Sequence, residues 1–150
     1  MKKTLLIISL LFSVLIFAQP PRDGKLKERI KAQKTAFITD QLNLSSEEAQ
    51  KFWPVYNEFE STVENIRTGD LRTIKQKLRR NPDMDEKEAD RLLDRLILAE
   101  DKMHQAKVKL IKDLRGKIPS KKIIKLKKVE DEFNRKLLER LKDFKGKRRR

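Results

Sequence analysis

The side chains that most often carry out chemistry in proteins are scarce in this chain. It has no cysteine and one histidine, His104, among 150 residues. A thiol nucleophile, a disulfide framework and a cysteine-based zinc site are therefore excluded, and one histidine forms no cluster for a metal ion. The four glycines match no phosphate-binding fingerprint. Composition thus argues against most classes of enzyme, and we expect neither catalysis nor a cofactor.

Two features resemble metal sites without satisfying their chemistry. Asp83, Asp85 and Glu86 lie close together, but the glycine and the distant bidentate glutamate of a calcium loop are missing. Acidic residues also favour a helix N-terminus, which explains this cluster better. We expect His104 to be a partly buried histidine on the flank of a helix, because it has no second ligand nearby.

Three aromatic residues, Trp53, Tyr56 and Phe59, are spaced for one face of a helix. They could stack on a bound client, but this spacing more often indicates core packing. Pro54 lies between them, lacks an N–H group and crowds the carbonyl of Gln50. We expect it either to kink the helix or to restart it.

Basic residues are in large excess, with 38 Lys and Arg against 23 Asp and Glu, giving a formal charge of +15. Such an excess exceeds what solubility requires and favours an acidic or anionic partner. Charge runs are otherwise usually solvated helix faces, and both interpretations stay open. The candidate client-binding basic face consists of two lysine stripes, which are Lys27, Lys31 and Lys34, and Lys121, Lys125 and Lys128.

The pattern of apolar residues predicts an all-α fold of four helices and no strands. The helices are expected over residues 25–40, 45–80, 85–115 and 121–144, with a weak point at Gly69-Asp70 and Ser120 as the cap of the last helix. The third helix carries two adjacent apolar stripes, which indicates burial on two sides or at the centre of an assembly. Rods of about 45 Å in so short a chain form an elongated, thin layer, which favours dimerisation. The two stripes are Ala89, Leu92, Leu96, Ala99, Met103, Ala106, Leu110 and Leu114, and Leu93, Ile97, His104, Val108 and Ile111.

The chain begins like an exported protein. Lys2 and Lys3 precede an apolar run over residues 5–17, and Ala18 then offers a small residue for cleavage. We expect a signal peptide over residues 1–18, one helical domain over 19–145 and a basic tail over 146–150. The expected location is the periplasm, where the tail would meet an anionic envelope surface and where nucleic acid is not an expected partner.

The second helix has the clearest start. Ser45 and Glu48 form the two ends of a capping box, after Leu44. The stretch over residues 42–56 resembles the first signature region of the Spy/CpxP-like periplasmic proteins, whose repeated motif is Leu-Thr-x-x-Gln. Leu44 and Ser45 stand at the positions of Leu and Thr, and Glu48 stands at the position of Gln. A more degenerate second signature would fall over residues 118–122.

The resemblance implies a cradle-like, antiparallel homodimer that acts without ATP as a periplasmic chaperone or as an envelope-stress regulator. Its partners would be unfolded client proteins or the periplasmic part of a membrane stress sensor. Relatives include periplasmic metal sensors and sensors tied to extracytoplasmic-function sigma factors, although one histidine and no cysteine give the metal role little support. The alternatives are a dedicated sensor of a membrane regulator, a Skp-like basic helical chaperone, and a polyanion-binding protein.

Overall fold

A computed structural model describes residues 22–147 of the chain, and its side chains from Gly24 to Lys142. The fold is all-α, and no β-strand occurs within these residues. The predicted signal peptide and the last three residues of the predicted tail lie outside them. Residues up to Phe37 and residues from Ile38 onward form two compact units, and each is described by itself. The helices are α1 (Arg22–Gln41), α2 (Ser46–Ile66), a π-helical segment (Arg67–Leu71), α3 (Arg72–Arg80), α4 (Glu86–Leu114) and α5 (Ser120–Lys147).

The start of α2 is the predicted capping box. The Ser45 hydroxyl accepts a hydrogen bond from the Glu48 backbone N–H at 3.2 Å. The Glu48 carboxylate accepts one from the Ser45 backbone N–H at 2.8 Å. Two donors that the helix cannot satisfy internally therefore gain partners, which fixes where α2 begins.

Pro54 lies inside α2, which continues without a break from Ser46 to Ile66. The alternative of a helix restart at this residue is therefore excluded, and the alternative of a kink stays a prediction. Phe52 and Tyr56, on either side of Pro54, are almost completely buried. Burial of these two aromatic side chains offsets the lost backbone hydrogen bond and holds the helix together.

The predicted weak point at Gly69-Asp70 is confirmed as an irregularity rather than a break. Here the backbone widens into the π-helical segment and then returns to α-helical geometry in α3. Such an insertion is a common way for a long helix to change its surface register. The rod from Ser46 to Arg80 therefore carries its apolar face as two connected stretches.

Ion pairs show that α4 returns antiparallel along this rod. Lys109 bonds Glu58 at 3.1 Å, Lys102 bonds Asp70 at 2.9 Å, and Lys77 lies 3.6 Å from Glu88. Residue numbers that increase along the rod therefore pair with residue numbers that decrease along α4. All three pairs are substantially exposed, so they fix register more than they add stability.

The last helix, α5, runs parallel to α2. The Lys122 ammonium donates to Glu48 Oε2 at 2.6 Å, and the Tyr56 hydroxyl donates to Glu130 Oε1 at 2.6 Å. Both pairs are separated by 74 residues, so one constant offset relates the two helices. The turn before α5 uses Gly116 at φ +80°, a left-handed conformation that glycine adopts without strain.

The buried core is apolar, and among the described residues no polar or charged side chain is fully buried. The members of the core are Ile38, Leu42, Phe52, Tyr56, Val63, Ile66, Ile74, Leu92, Ala99, Ala106, Leu110, Leu114, Ile118, Leu126, Val129 and Phe133.

Several sequence expectations need correction. Helix α5 begins at Ser120, and the carbonyl of Pro119 accepts from the backbone N–H of Lys122, so Pro119 rather than Ser120 occupies the cap position. Helix α5 also continues to Lys147, through the first two residues of the predicted tail. Helical spacing also places Leu78 on the apolar face of the second helix, but this side chain, three residues before the turn that joins α3 to α4, is exposed.

Candidate interaction surfaces

The second apolar stripe of α4 is largely exposed to solvent within the part of the chain that the structure describes. We call it the α4 stripe, and it consists of Leu93, Ile97, His104, Val108 and Ile111. Leu93 is 54% exposed, Ile97 is 60% exposed and Ile111 is 55% exposed. At 3.6 residues per turn these positions share one face, opposite the buried Ala99 and Ala106. An aliphatic face of this kind on a helix is a candidate protein-binding surface.

His104 lies at the midpoint of the α4 stripe and is exposed. The expectation of a partly buried histidine is therefore wrong, because no residue that the structure describes covers this side chain. Ile97 and Ile111 lie seven residues before and seven after it. The described residues contain no group of three or more potential ligands that could hold a metal ion. Nothing in its surroundings therefore points to a metal site at His104.

Charges flank the α4 stripe with opposite signs at its two ends. Glu100 and Asp101 lie beside its N-terminal half, and Lys107 and Lys112 lie beside its C-terminal half. The stripe therefore combines an apolar centre line with a charge gradient along the helix. Such a surface is complementary to an antiparallel copy of itself.

The lysines near the start of α5 divide into two groups with different roles. Lys122 donates to the backbone carbonyl of Asn43 at 2.6 Å as well as to Glu48, and Lys125 donates to the carbonyl of Gln41 at 2.5 Å. Both carbonyls lie at or just after the end of α1, where helical carbonyls have no internal partner. Lys125 therefore ties helix ends together, unlike the free client contact expected of it.

The Lys122 contact lowers the pKa of Glu48 below its ordinary value. The hydrogen bond from Lys122 is the largest cause, and the backbone N–H of Ser45 adds to it. The local capping pattern predicts the roles of Ser45 and Glu48 but not that of Lys122, because no local pattern connects residues 74 positions apart. Of the predicted family motif at Leu44, Ser45 and Glu48, the last two residues thus have a structural role: both cap α2, and Glu48 also binds α5 through Lys122.

The other predicted lysines occupy exposed helix surfaces. Lys121 and Lys128 are exposed on α5, beside Ile124, which at 80% is the most exposed of the large hydrophobic side chains described. On α1, Lys27 and Lys31 are exposed and Lys34 is half-buried. These three belong to the other compact unit, so each group of three lysines is described as part of the surface of its own unit.

Tyr56 is buried with its hydroxyl between two carboxylates. It is 1% exposed and donates to Glu130, and Glu60 also interacts with it. Burial raises the pKa of Tyr56 far above its ordinary value, and the two negative charges raise it further. The ring stacks on Phe52 with centroids 5.2 Å apart, and it meets Trp53 edge to face at 5.6 Å. Tyr56 thus belongs to the core, while Trp53 and Phe59 are half-buried around it.

The acidic cluster before α4 is a helix cap. The Asp85 side chain accepts from the Glu88 backbone N–H at 2.8 Å, as expected for a helix N-terminus. Glu88 in turn accepts from the Asn81 side chain at 3.2 Å, which secures the turn between α3 and α4. The predicted role of this cluster at a helix N-terminus is therefore confirmed for Asp85, which caps α4.

No protein-family model, curated protein or solved structure matches this chain. Within residues 22–147, no helix is both long enough and apolar enough to cross a membrane. The functional argument therefore depends on the chemistry of the surfaces described above.

Proposed function

We propose that this protein is an exported, non-enzymatic binding protein that acts, without ATP, as a chaperone or envelope-stress regulator of the Spy/CpxP-like kind. The observation that carries the proposal is the exposure of large aliphatic side chains on a strongly basic helical chain. Ten such side chains are exposed in the described part, among them Leu26, Ile97 and Ile124. The resemblance of residues 42–56 to the family signature supports the same function.

The proposed mechanism joins two forces of different range. Attraction between the chain, with its formal charge of +15, and an acidic unfolded polypeptide speeds their encounter. Exposed aliphatic side chains then hold apolar segments of the client by weak, exchangeable contacts. The predicted lysines of α1, Lys27, Lys31 and Lys34, are our first candidates for the capturing charges.

The test is suppression of aggregation of an acidic unfolding client by the processed protein at low and at high salt. We expect suppression at low salt that weakens as salt screens the charges. The triple variant Lys27→Gln, Lys31→Gln and Lys34→Gln should suppress less than the wild type. A control with the same charge change, Lys51→Gln, Lys75→Gln and Lys87→Gln, should retain more activity. Absence of suppression at low salt would overturn the chaperone proposal.

A pulldown from envelope extract separates the two branches of the proposal. A broad set of clients supports the chaperone, whereas one stoichiometric membrane partner supports the regulator. Mass spectrometry of protein recovered from the periplasm tests export directly. A mass that lacks residues 1–18 supports the predicted cleavage, and retention of the full chain in the cytoplasm contradicts it.

We also propose that the α4 stripe joins two copies in an antiparallel homodimer with its two-fold axis at His104. This register places Ile97 of one copy opposite Ile111 of the other, because both lie seven residues from the axis. It also places Asp101 opposite Lys107, because both lie three residues from the axis. A parallel arrangement would instead bring like charges together.

Sedimentation velocity tests this dimer. Ile97→Ser should shift the protein towards monomer, whereas Leu98→Ser, at an equally exposed position beside the stripe, should not. His104→Ile should tighten the dimer, because it replaces a polar side chain on an apolar seam. A wild-type protein that remains monomeric at high concentration would exclude the interface.

A further inference from the structure

We propose that the outer face of α5 is a docking surface for an anionic lipid bilayer. This face consists of Lys121, Ile124, Lys128, Arg135, Leu138 and Lys142. The proposal concerns a different helix from the α4 stripe. It does not depend on the proposed chaperone or regulator function, and a separate experiment tests it.

The fold decides which residues of α5 point outward. Leu126, Val129 and Phe133 are buried, so they define the inner face of this helix. Ile124 and Leu138 lie on the opposite side and are 80% and 59% exposed. They are 14 residues apart, which at 3.6 residues per turn brings them to the same face, about 21 Å from each other along the axis. Two aliphatic side chains therefore project from one line of the helix.

Cations surround these two aliphatic side chains. Lys121 and Lys128 lie three residues before and four residues after Ile124, which are the neighbouring positions on a helix surface. Lys142 lies four residues after Leu138, and Arg135 lies three residues before it. All four are exposed, and none has an ion-pair partner among the side chains that the structure describes.

The acidic residues on this face do not cancel that charge. Asp131 is already paired with Lys127, one turn before it on the same helix. Glu139 lies at the edge of the face, and Glu132 lies at the same edge, four residues after Lys128 and three before Arg135. The four cations thus outnumber these two carboxylates, and the outer face retains a net positive charge.

Charge complementarity identifies the occupant as an anionic lipid surface. Each Lys or Arg near such a surface gains attraction to the lipid phosphates, and its long apolar stem lets the charge stay at the headgroups. Ile124 and Leu138 can then enter the boundary between headgroups and acyl chains. A second copy of the same face would be repelled, because it presents the same excess of positive charge.

The test reads the environment of individual positions on the protein. The chain has no cysteine, so a single introduced cysteine carries a polarity-sensitive fluorophore at one known place. The labelled variants are Ile124→Cys and Leu138→Cys on the outer face, and Leu98→Cys as the control on α4. Each is mixed with vesicles of phosphatidylcholine alone and with vesicles containing equal parts of phosphatidylcholine and phosphatidylglycerol.

We expect a blue shift at positions 124 and 138 with the anionic vesicles and no shift at position 98. Because the label reports its own surroundings, attachment through another part of the chain would leave positions 124 and 138 unchanged. Bound protein without a shift at those positions overturns the proposal. An equal shift at position 98 also overturns it. A shift at positions 124 and 138 with polyglutamate but not with the anionic vesicles overturns it too, and would identify an acidic polypeptide as the partner.

A charge variant tests the electrostatic half of the proposal by cosedimentation with the anionic vesicles. Lys121→Gln with Lys128→Gln should weaken partitioning about 30-fold. Lys75→Gln with Lys87→Gln, at exposed lysines of α3 and α4, removes the same charge elsewhere and should weaken it much less. Equal losses in the two double variants would show that net charge alone drives binding and would overturn the assignment to this face. Circular dichroism confirms that each variant is folded.

Discussion

Tyr56 offers a direct test of how α5 is held against α2, because it is the one tyrosine of the chain. Its ionisation can therefore be followed by ultraviolet absorbance without interference from another tyrosine. In the folded protein its hydroxyl is buried and donates to the Glu130 carboxylate at 2.6 Å. Burial and the adjacent negative charges raise its pKa far above the ordinary value of 10.0. We expect no tyrosinate signal above pH 10 while the helices remain folded.

The same contact predicts how stability depends on pH. The folded state holds the Tyr56 proton and the unfolded state releases it near pH 10, so the stabilising effect is complete below pH 10 and is lost as the pH rises. The loss should be about 1.4 kcal/mol for each pH unit above 10. At pH 8 the variant Tyr56→Phe should be less stable by about 2 kcal/mol, because it lacks a hydrogen bond to a charged acceptor.

Urea unfolding of the wild type and of Tyr56→Phe at pH 8 and pH 11 measures both effects. Other groups that titrate in this range are common to the two proteins, so their difference isolates Tyr56. The advantage of the wild type should shrink from about 2 kcal/mol to less than about 1 kcal/mol. A tyrosinate signal with a midpoint near pH 10 in protein that keeps its helical circular dichroism would refute the buried Tyr56–Glu130 contact.

Substitutions at four further positions test the local structure, three of them by urea unfolding and the fourth by acid titration. Ser45→Ala should destabilise the protein by about 1 kcal/mol because it removes the cap of α2, whereas Ser45→Asp should retain most of the stability. Pro54→Ala should stabilise it by about 1 to 3 kcal/mol, since the new N–H restores a helical hydrogen bond, and a loss of stability would contradict this. Gly116→Ala should cost about 1 to 2 kcal/mol because of the positive φ at this position, and an unchanged midpoint would refute the strained turn. Because the pKa of Glu48 is lowered in the folded state, its ionised carboxylate stabilises the fold above the ordinary value of 4.5, and this stabilisation is lost as the pH falls. Lys122→Met removes the largest cause of the lowered pKa, so its stability should decrease less steeply below pH 4.5 than that of the wild type, which acid titration can measure.

Local patterns in the sequence predict the helices well. The capping box at Ser45 and Glu48, the acidic cap at Asp85 and the irregularity at Gly69 all depend on residues within one helical turn of each other. Such features are specified locally, so a single sequence is enough to find them. The restart at Pro54 fails as a prediction because the burial of Phe52 and Tyr56 is a tertiary effect that overrides local propensity.

Contacts between helices could not be predicted in the same way. Lys122 and Glu130 acquire their roles from partners 74 residues away, and no spacing in the sequence encodes that offset. The two apolar stripes of α4 posed a similar problem, since periodicity alone does not say which one faces α2. The structure buries the stripe with Ala99 and Ala106, where small side chains let the helices approach closely.

The two uncovered surfaces differ in chemistry, and that difference assigns them different partners. On α4 the exposed aliphatic residues lie between acidic side chains at one end and basic side chains at the other, as Asp101 and Lys107 illustrate. An antiparallel copy places basic side chains opposite the acidic end and acidic side chains opposite the basic end, so self-association brings few like charges together. On α5, Lys121 and Lys128 flank Ile124 without acidic counterparts beside it, so a second copy would add repulsion while an anionic surface would remove it. If a dimer forms through α4, it duplicates the cationic face of α5, and its attachment to an anionic bilayer should be tighter than that of the monomeric Ile97→Ser variant.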